Sequence, residues 1–267
     1  MNLAERMKMY EKLNSQKLMT GLPAMARLDG KNFSKFTKSL AKPYDKRLSK
    51  LMIELSKFLT SETNAILSYT QSDEITLMWY NKENPAGIFY EGKVQKMIGE
   101  LTALATGFFN RELINYLPEK VSTTSFPRFD ARVWNVPSLE EAANSFLYRE
   151  RDCVKNSISM VAQSEYSHKK LEGKNGSDKQ DMLMEKGINW NDYPDFFKRG
   201  SYIQRVKKLI PFSAEEIEKL PAKHAARKNP DLQIERNVVE VLHLEPLDKI
   251  ENKVETLFNI KRCIRDG

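Results

Sequence analysis

The spacing of apolar positions changes several times along the first half of the chain, and each change marks an element. Pro23 to Leu28 (PAMARL) is short and apolar and runs into Asp29-Gly30, which predicts a strand ending in a turn. Over residues 45–60, Leu48, Leu51, Met52, Leu55, Phe58 and Leu59 recur at helical spacing on one face. Asp45 stands near the start of that helix, where a carboxylate suits the helix dipole. Residues 65–71 (AILSYTQ) and 75–80 (ITLMWY) are rich in β-branched and aromatic side chains. Only Ser72-Asp73-Glu74 separates them, so they predict a hairpin with an acidic tip. A second amphipathic helix covers 92–116 through Val94, Met97, Ile98, Leu101, Leu104, Ala105, Phe108 and Phe109. Residues 126–137 predict a last strand, bracketed by Pro127 and Pro137 at positions a strand end tolerates.

The order βαββαβ predicts an α+β, ferredoxin-like antiparallel sheet with its helices on one face. The first strand and the hairpin then lie side by side at the sheet centre. Asp29 leaves the first strand at its C-terminal end, and Asp73 and Glu74 sit where the second strand turns into the third. In a suitable register these acids form one cluster. Downstream, Ser138 and Glu141 form a capping-box pattern that opens a helix reaching about residue 165. Residues 166–200 are polar and turn-rich. Residues 206–267 are expected as a mostly helical C-terminal appendage to a core over 1–205, with a second capping box at Ser213–Glu216 and a basic, proline-bounded loop over 221–230.

Composition narrows the class. The chain has 267 residues, 40% hydrophobic and 30% charged, which supports a globular core and excludes general disorder. No apolar run approaches the roughly 20 residues that span a bilayer, and the start lacks the apolar stretch of a secretory signal. The 2 cysteines, Cys153 and Cys263, exclude a disulfide scaffold and a CxxC metal site. Cys153 is flanked by helical apolar positions and is read as packing. A reducing cytoplasm is expected. Lys+Arg exceed Asp+Glu by 43 − 36 = +7, which suits a polyanion partner without identifying one.

Carboxylates at neighbouring strand ends raise one another's pKa and cost stability unless a cation joins them. An all-oxygen set suits Mg²⁺, which takes one or two carboxylates plus substrate phosphates, and two such ions serve phosphoryl or nucleotidyl transfer. Gly30 lets the backbone approach a phosphate closely. Lys31, Asn32 and Ser34 offer donors to its oxygens, and Lys42 is within reach of the same anion. Asp-Gly and Ser-Asp-Glu are also ordinary turn residues, so a metal site and plain solvated turns both stay open at this point. The 3 histidines, His168, His224 and His243, lie outside the acidic segments, which leaves a Ser-His or Cys-His triad without a place.

Five segments occur in order: ARLDGKNFSKF (26–36), SYTQSDE (68–74), FDARV (129–133), FLYRERDCVKNS (146–157) and INWNDYPDFFKRG (188–200). Together they resemble the tRNA-His guanylyltransferase superfamily, which includes tRNA-repair relatives that polymerise in the 3′-to-5′ direction. The resemblance covers roughly residues 1–205 and is specific as an ordered set. It implies a polymerase-palm-like core with two Mg²⁺ held at Asp29, the Gly30 carbonyl and Asp73, and with Glu74 beside them as a third catalytic acid. The nucleotide site would comprise Asp29, Gly30, Lys31, Asn32, Phe33, Ser34, Lys42, Asp45, Ser72 and Asp73. Family enzymes activate a 5′-monophosphorylated tRNA with ATP, and the 3′-hydroxyl of an incoming nucleotide, usually GTP, attacks the activated end. They are commonly homotetramers.

Arg27, Lys96, Arg149, Arg151, Asn156, Lys198 and Arg199 are candidates for tRNA phosphates or the triphosphate tail, with solvated faces as the plain alternative for most. Asp130 and Arg132 are expected as a buried structural pair. Family members that guanylylate tRNA-His in eukaryotes carry a histidine-isoleucine-asparagine-asparagine stretch, where this chain reads Val154-Lys155-Asn156-Ser157. That departure favours template-dependent repair of tRNA 5′ ends. The alternative is addition of a single guanylate to tRNA-His. From other classes, a non-catalytic tRNA-binding module and a nucleotide cyclase on a similar palm are weighed, and the acids and the later segments respectively argue against them.

Overall fold

A computed structural model describes residues 1–12, 15–81, 84, 87–121, 126–229 and 231–258. Cys263 and the rest of 259–267 lie outside the described residues. The predicted alternation takes the form β1 (Ala24–Lys31), α2 (Phe33–Thr37), α3 (Lys46–Thr63), β2 (Leu67–Gln71), β3 (Glu74–Trp79), α4 (Val94–Tyr116) and β4 (Arg128–Asn135), preceded by α1 (Leu3–Lys12). The strands belong to a 6-stranded antiparallel sheet of order β4-β1-β3-β2-β5-β6, so β1 and β3 are central as the ferredoxin-like order requires.

Strand alternation sorts the side chains between two faces. Ala24, Ala26 and Leu28 of β1, Ile75, Leu77 and Trp79 of β3 and Phe129 of β4 pack with Leu51, Leu55 and Leu59 of α3 and Met97, Leu101 and Phe109 of α4. On the other face Met25, Leu67, Tyr69 and Met78 pack with Phe146 of α5 (Leu139–Glu165). Arg27 and Asp29 share that second face by their spacing from Met25, but they stand outside its apolar cluster. The sheet therefore keeps one polar patch next to α5.

Helix ends follow local chemistry. Asp45 caps α3 by accepting from the Arg47 backbone N–H at 2.9 Å. At α5, Ser138 accepts from Glu141 N–H at 3.3 Å. The box at Ser213 and Glu216 is reciprocal and opens α9 (Ala214–Lys219).

Two regions differ from expectation. Residues 166–200 hold α6 (His168–Leu171), α7 (Gly176–Glu185) and α8 (Asp195–Lys198), and Leu171, Leu183 and Phe197 pack against Val161 and Ala162 of α5. Beyond them β5 (Ser201–Pro211) joins β2 through 201–204 and β6 (Gln233–Leu242) along 202–211. Position 205 thus falls inside a strand. The segment expected to be mostly helical instead adds sheet, plus only short helices: α9, α10 (Ala225–Lys228) and α11 (Lys253–Phe258). Lys207–Glu235 and Lys208–Glu240 pairs line the β5–β6 ladder, so its strands read as charged sequence and not as apolar runs.

Candidate active site

Asp29 and Asp73 meet across Gly30. The Gly30 N–H donates to the Asp73 carbonyl at 3.1 Å, which ties the end of β1 to the β2–β3 turn. A Cβ on Gly30 would fall 2.7 Å from Asp73 Oδ2 and inside the Phe33 ring. Only glycine lets the carboxylate come this close. Ser72 and Asn32 take left-handed backbone at φ 49° and 64°, which turns the chain sharply on both sides of the acids. The Asp73 carboxylate accepts from Ser72 Oγ at 3.1 Å. Burial and the neighbouring Asp29 charge push its pKa up.

Glu74 is not at the hairpin tip. It is the first residue of β3 and pairs in register with Asp29. Its carboxylate faces Arg149 Nη1 at 3.2 Å and Arg27 Nε at 3.6 Å. Burial raises its pKa, and the two arginines counter that shift. Two carboxylates so close in space are therefore in different circumstances: Asp73 lies against another acid, and Glu74 is neutralised by cations.

Arg27 and Arg149 continue into a cleft of 250 Å³ on the α5 face of the sheet, which Thr76, Arg132, Trp134, Ser145 and Tyr148 also line. Arg132 pairs with Arg27 in the β1–β4 register and is exposed, as is Asp130 opposite Asp29. The expected buried pair of Asp130 and Arg132 does not form, because the sheet alternation turns both toward the open face. The Arg149 guanidinium stacks 4.4 Å from the exposed Tyr148 ring. Thr76 Oγ1, on the cleft floor, is buried without a hydrogen-bond partner among the described residues. Thr76 and Tyr148 escaped the sequence reading, and Arg132 entered it only as half of a structural pair; for Arg132 the alternation of β4 against β1 carried the signal.

A second concavity of 120 Å³ opens beside Ser72 and brings Lys42, Asp45, Gln71, Asn156 and Phe196 together from four separate segments. Asp45 is buried there, and hydrogen bonds from Arg47 hold its carboxyl down at about 2. Lys31, Asn32 and Ser34 are exposed around the turn after β1, whereas Phe33 is buried in the core. Asn156 Nδ2 donates to Asp152 at 3.2 Å.

The remaining cations are not gathered in. Arg151 is bound to Asp248 of the tail at 2.5 Å. Lys198 donates to the Asn191 carbonyl at 2.7 Å, and Arg199 to the Leu244 carbonyl at 3.3 Å, so both hold the protein's own loops. Lys96 stands in the first turn of α4, whereas Thr106, which receives Phe129 N–H beside Gly30, comes about 15 Å further along that helix. The Cys153 thiol is buried, pushed up to about 12, and donates to the Phe197 carbonyl, which fits packing. His224 caps α10.

Two carboxylates and a backbone carbonyl offer oxygen only, the donor set of a hard divalent cation. Among the described residues no group of three or more His, Cys, Asp or Glu is disposed to hold a metal. An ion here would need further oxygens from water or from substrate phosphates. The Asp73 carboxylate is raised first by burial and then by the Asp29 charge, and a cation bound between the two acids would offset both. The donor set therefore fits Mg²⁺.

A family model described as tRNAHis guanylyltransferase matches residues 4–137. The tRNA(His) guanylyltransferase of Schizosaccharomyces pombe is 28% identical over 212 residues, covering 74% of this chain and 78% of that protein. A solved bacterial tRNA(His) guanylyltransferase-like protein in complex with ATP superposes with a TM-score of 0.77 at 33% identity, covering 96% of this chain and 99% of that one. A bacterial relative of the same description in complex with GTP gives 0.70 at 29%, over 96% and 98%.

Proposed function

Because the chain belongs to the tRNA(His) guanylyltransferase family and is accordingly a nucleotidyltransferase, we propose that it joins a nucleotide to the 5′ end of a tRNA. Guanylate addition to tRNA-His is the form that the names of its relatives support best. The observation that carries the reading is the meeting of Asp29 and Asp73 at Gly30, between a pocket and an arginine-lined cleft.

Asp29, Asp73 and the Gly30 carbonyl would hold Mg²⁺, which when bound supplies Lewis-acid activation and neutralises charge on the phosphates. Lys31, Asn32 and Ser34 present donors to a triphosphate beside the acids, and Lys42 and Asp45 line the pocket that would take its nucleoside, ATP or GTP. Arg27, Arg132 and Arg149 face the second anionic partner, and Tyr148 gives it a ring to stack on. Glu74 holds two of these arginines toward the acids and acts as a positioning group. The nucleophile is the 3′-hydroxyl of the incoming nucleotide, so the protein needs no covalent nucleophile of its own, and the buried Cys153 is not one. The homotetramer common to the family is proposed on the same ground, and sedimentation velocity checks it.

One observation favours a second reading. Val154-Lys155-Asn156-Ser157 replaces the stretch associated with tRNA-His guanylylation, and Asn156 lines the nucleotide pocket. That favours template-directed restoration of truncated 5′ ends.

The test uses a 5′-labelled tRNA, intact or truncated, with ATP, GTP and Mg²⁺. Extension at the 5′ end is expected, with loss in Asp29→Ala and Asp73→Ala while tRNA binding persists. Extension that survives in both variants refutes the assignment of the acids. Varying the template nucleotide separates the two forms: product that follows the template supports repair, and guanylate added regardless supports the tRNA-His reaction.

A further inference from the structure

α2 is only 5 residues long, yet it follows directly on the turn that carries Gly30 and Asn32. Its Phe33 ring fills the space of a Gly30 Cβ, and Phe33 packs at 5.5 Å on Phe36, the two forming one cluster with Phe109 and Phe129. A single buried cation holds the far end. Lys120 closes a 3-10 turn at Pro118–Lys120 and is 7% exposed. Its ammonium donates to the Phe36 carbonyl at 2.5 Å and to Ser39 Oγ at 2.7 Å, and lies 5.1 Å from the Phe36 ring centre. The Phe36 carbonyl belongs to the last turn of α2, where carbonyls have no helical donor and the dipole is negative.

Burying an ammonium is costly, and a well-packed apolar side chain usually serves stability as well. Stability alone therefore does not account for a lysine here. The neighbouring Glu119 meets Arg47 at 2.8 Å, and Arg47 meets Asp45 at 2.8 Å. Two consecutive residues thus fasten both ends of segment 36–47, from which Thr37, Leu40, Ala41 and Lys42 line the pocket.

We infer that Lys120 is a positioning residue whose buried ammonium sets the placement of α2, and through it the turn at 30–34 and the pocket wall at 37–42 that receive the nucleoside triphosphate. This rests on the nucleotide reading of the site. Lys120→Met keeps the apolar stem and removes the charge. In the full chain with Mg²⁺, it is expected to raise the KM for ATP in 5′-adenylylation roughly ten-fold, with a smaller change in kcat and tRNA affinity within about two-fold. Leu113→Ala, which empties a buried position on α4, is the control for plain destabilisation: its melting temperature falls and its KM for ATP does not move. Should Lys120→Met be insoluble, Ser39→Ala removes one acceptor and leaves the charge, and a rise of about two- to three-fold is expected. An unchanged KM in soluble Lys120→Met, an unchanged KM in Ser39→Ala, or an equal shift in Leu113→Ala overturns the inference. If the unaltered protein has no affinity for ATP, the nucleotide reading falls and this inference with it; if it binds ATP and Lys120→Met binds it equally well, only this inference falls.

Discussion

A hydrogen atom decides the geometry at position 30. Gly30→Ala would place a methyl 2.7 Å from Asp73 Oδ2 and into the Phe33 ring, so the acids must separate or the turn must shift. Displacements of this size cost about 100-fold in rate, and a loss of at least that order in 5′-end extension is expected, with tRNA affinity retained in a filter-binding assay. Asp73 carries a second consequence. Its pKa is raised by burial and by Asp29, so its charge opposes folding above that raised value, and the opposition fades as pH falls through it. Asp73→Asn is therefore expected to raise the melting temperature at neutral pH without divalent cations by about 2–4 °C. The same substitution is expected to abolish the rise that Mg²⁺ produces in the unaltered chain. A Mg²⁺ response that survives in Asp73→Asn counts against the assignment. Asp29 and Asp73 were legible as candidates because acids next to turns stand out between apolar runs. The circumstances of Glu74 were not, because its arginines come from β1 and from α5, 47 and 75 positions away by residue number.

Elements hold these residues in register. α5 carries Arg149 into the cleft, and the next residue, Glu150, anchors the helix: its carboxylate accepts from Tyr202 Oη at 2.8 Å on β5 and from Leu247 N–H at 2.9 Å in the tail. Burial raises the pKa of Glu150, and those two donors oppose the shift. Tyr202→Phe leaves a buried acceptor half satisfied. A loss of about 1–3 kcal/mol is expected, read as a lower denaturant midpoint with an unchanged slope. Full stability in Tyr202→Phe would mean that the anchor is not at this bond. The helices and strands of the first half were readable from periodicity, since each buries one face. β5 and β6 were not, because only the first half of β5 is buried against β2 and the rest of the ladder carries charged cross-strand pairs, which leaves no continuous apolar pattern in either segment.

At the scale of the whole molecule, the chain after β6 returns to the core. Leu247, Leu257 and Phe258 are fully buried beside Phe146 and Met25, and Gln204 Nε2 donates to the Leu257 carbonyl at 2.7 Å. The last described residues are therefore part of the second core. Leu257→Ala is expected to cost about 2–5 kcal/mol, which thermal or denaturant unfolding would register as a single cooperative transition at a lower midpoint. Two separate transitions, with only the weaker one shifted, would show the tail to be autonomous. Among the described residues no helix is long and apolar enough to cross a membrane.

The amino-acid sequence by itself determined the order βαββαβ, the two helices over one face, the acids at strand ends and the family, because these rest on local periodicity and on ordered short segments. Tertiary structure alone decided which charges meet. Sheet register set Asp29 against Glu74 and Arg27 against Arg132, and the packing of α5 brought Arg149 over them. The return of the tail claimed Arg151 and Arg199 for internal contacts. Ion pairs and pockets form between segments far apart along the chain, and the energy that selects them comes from burial on folding, which no single segment encodes.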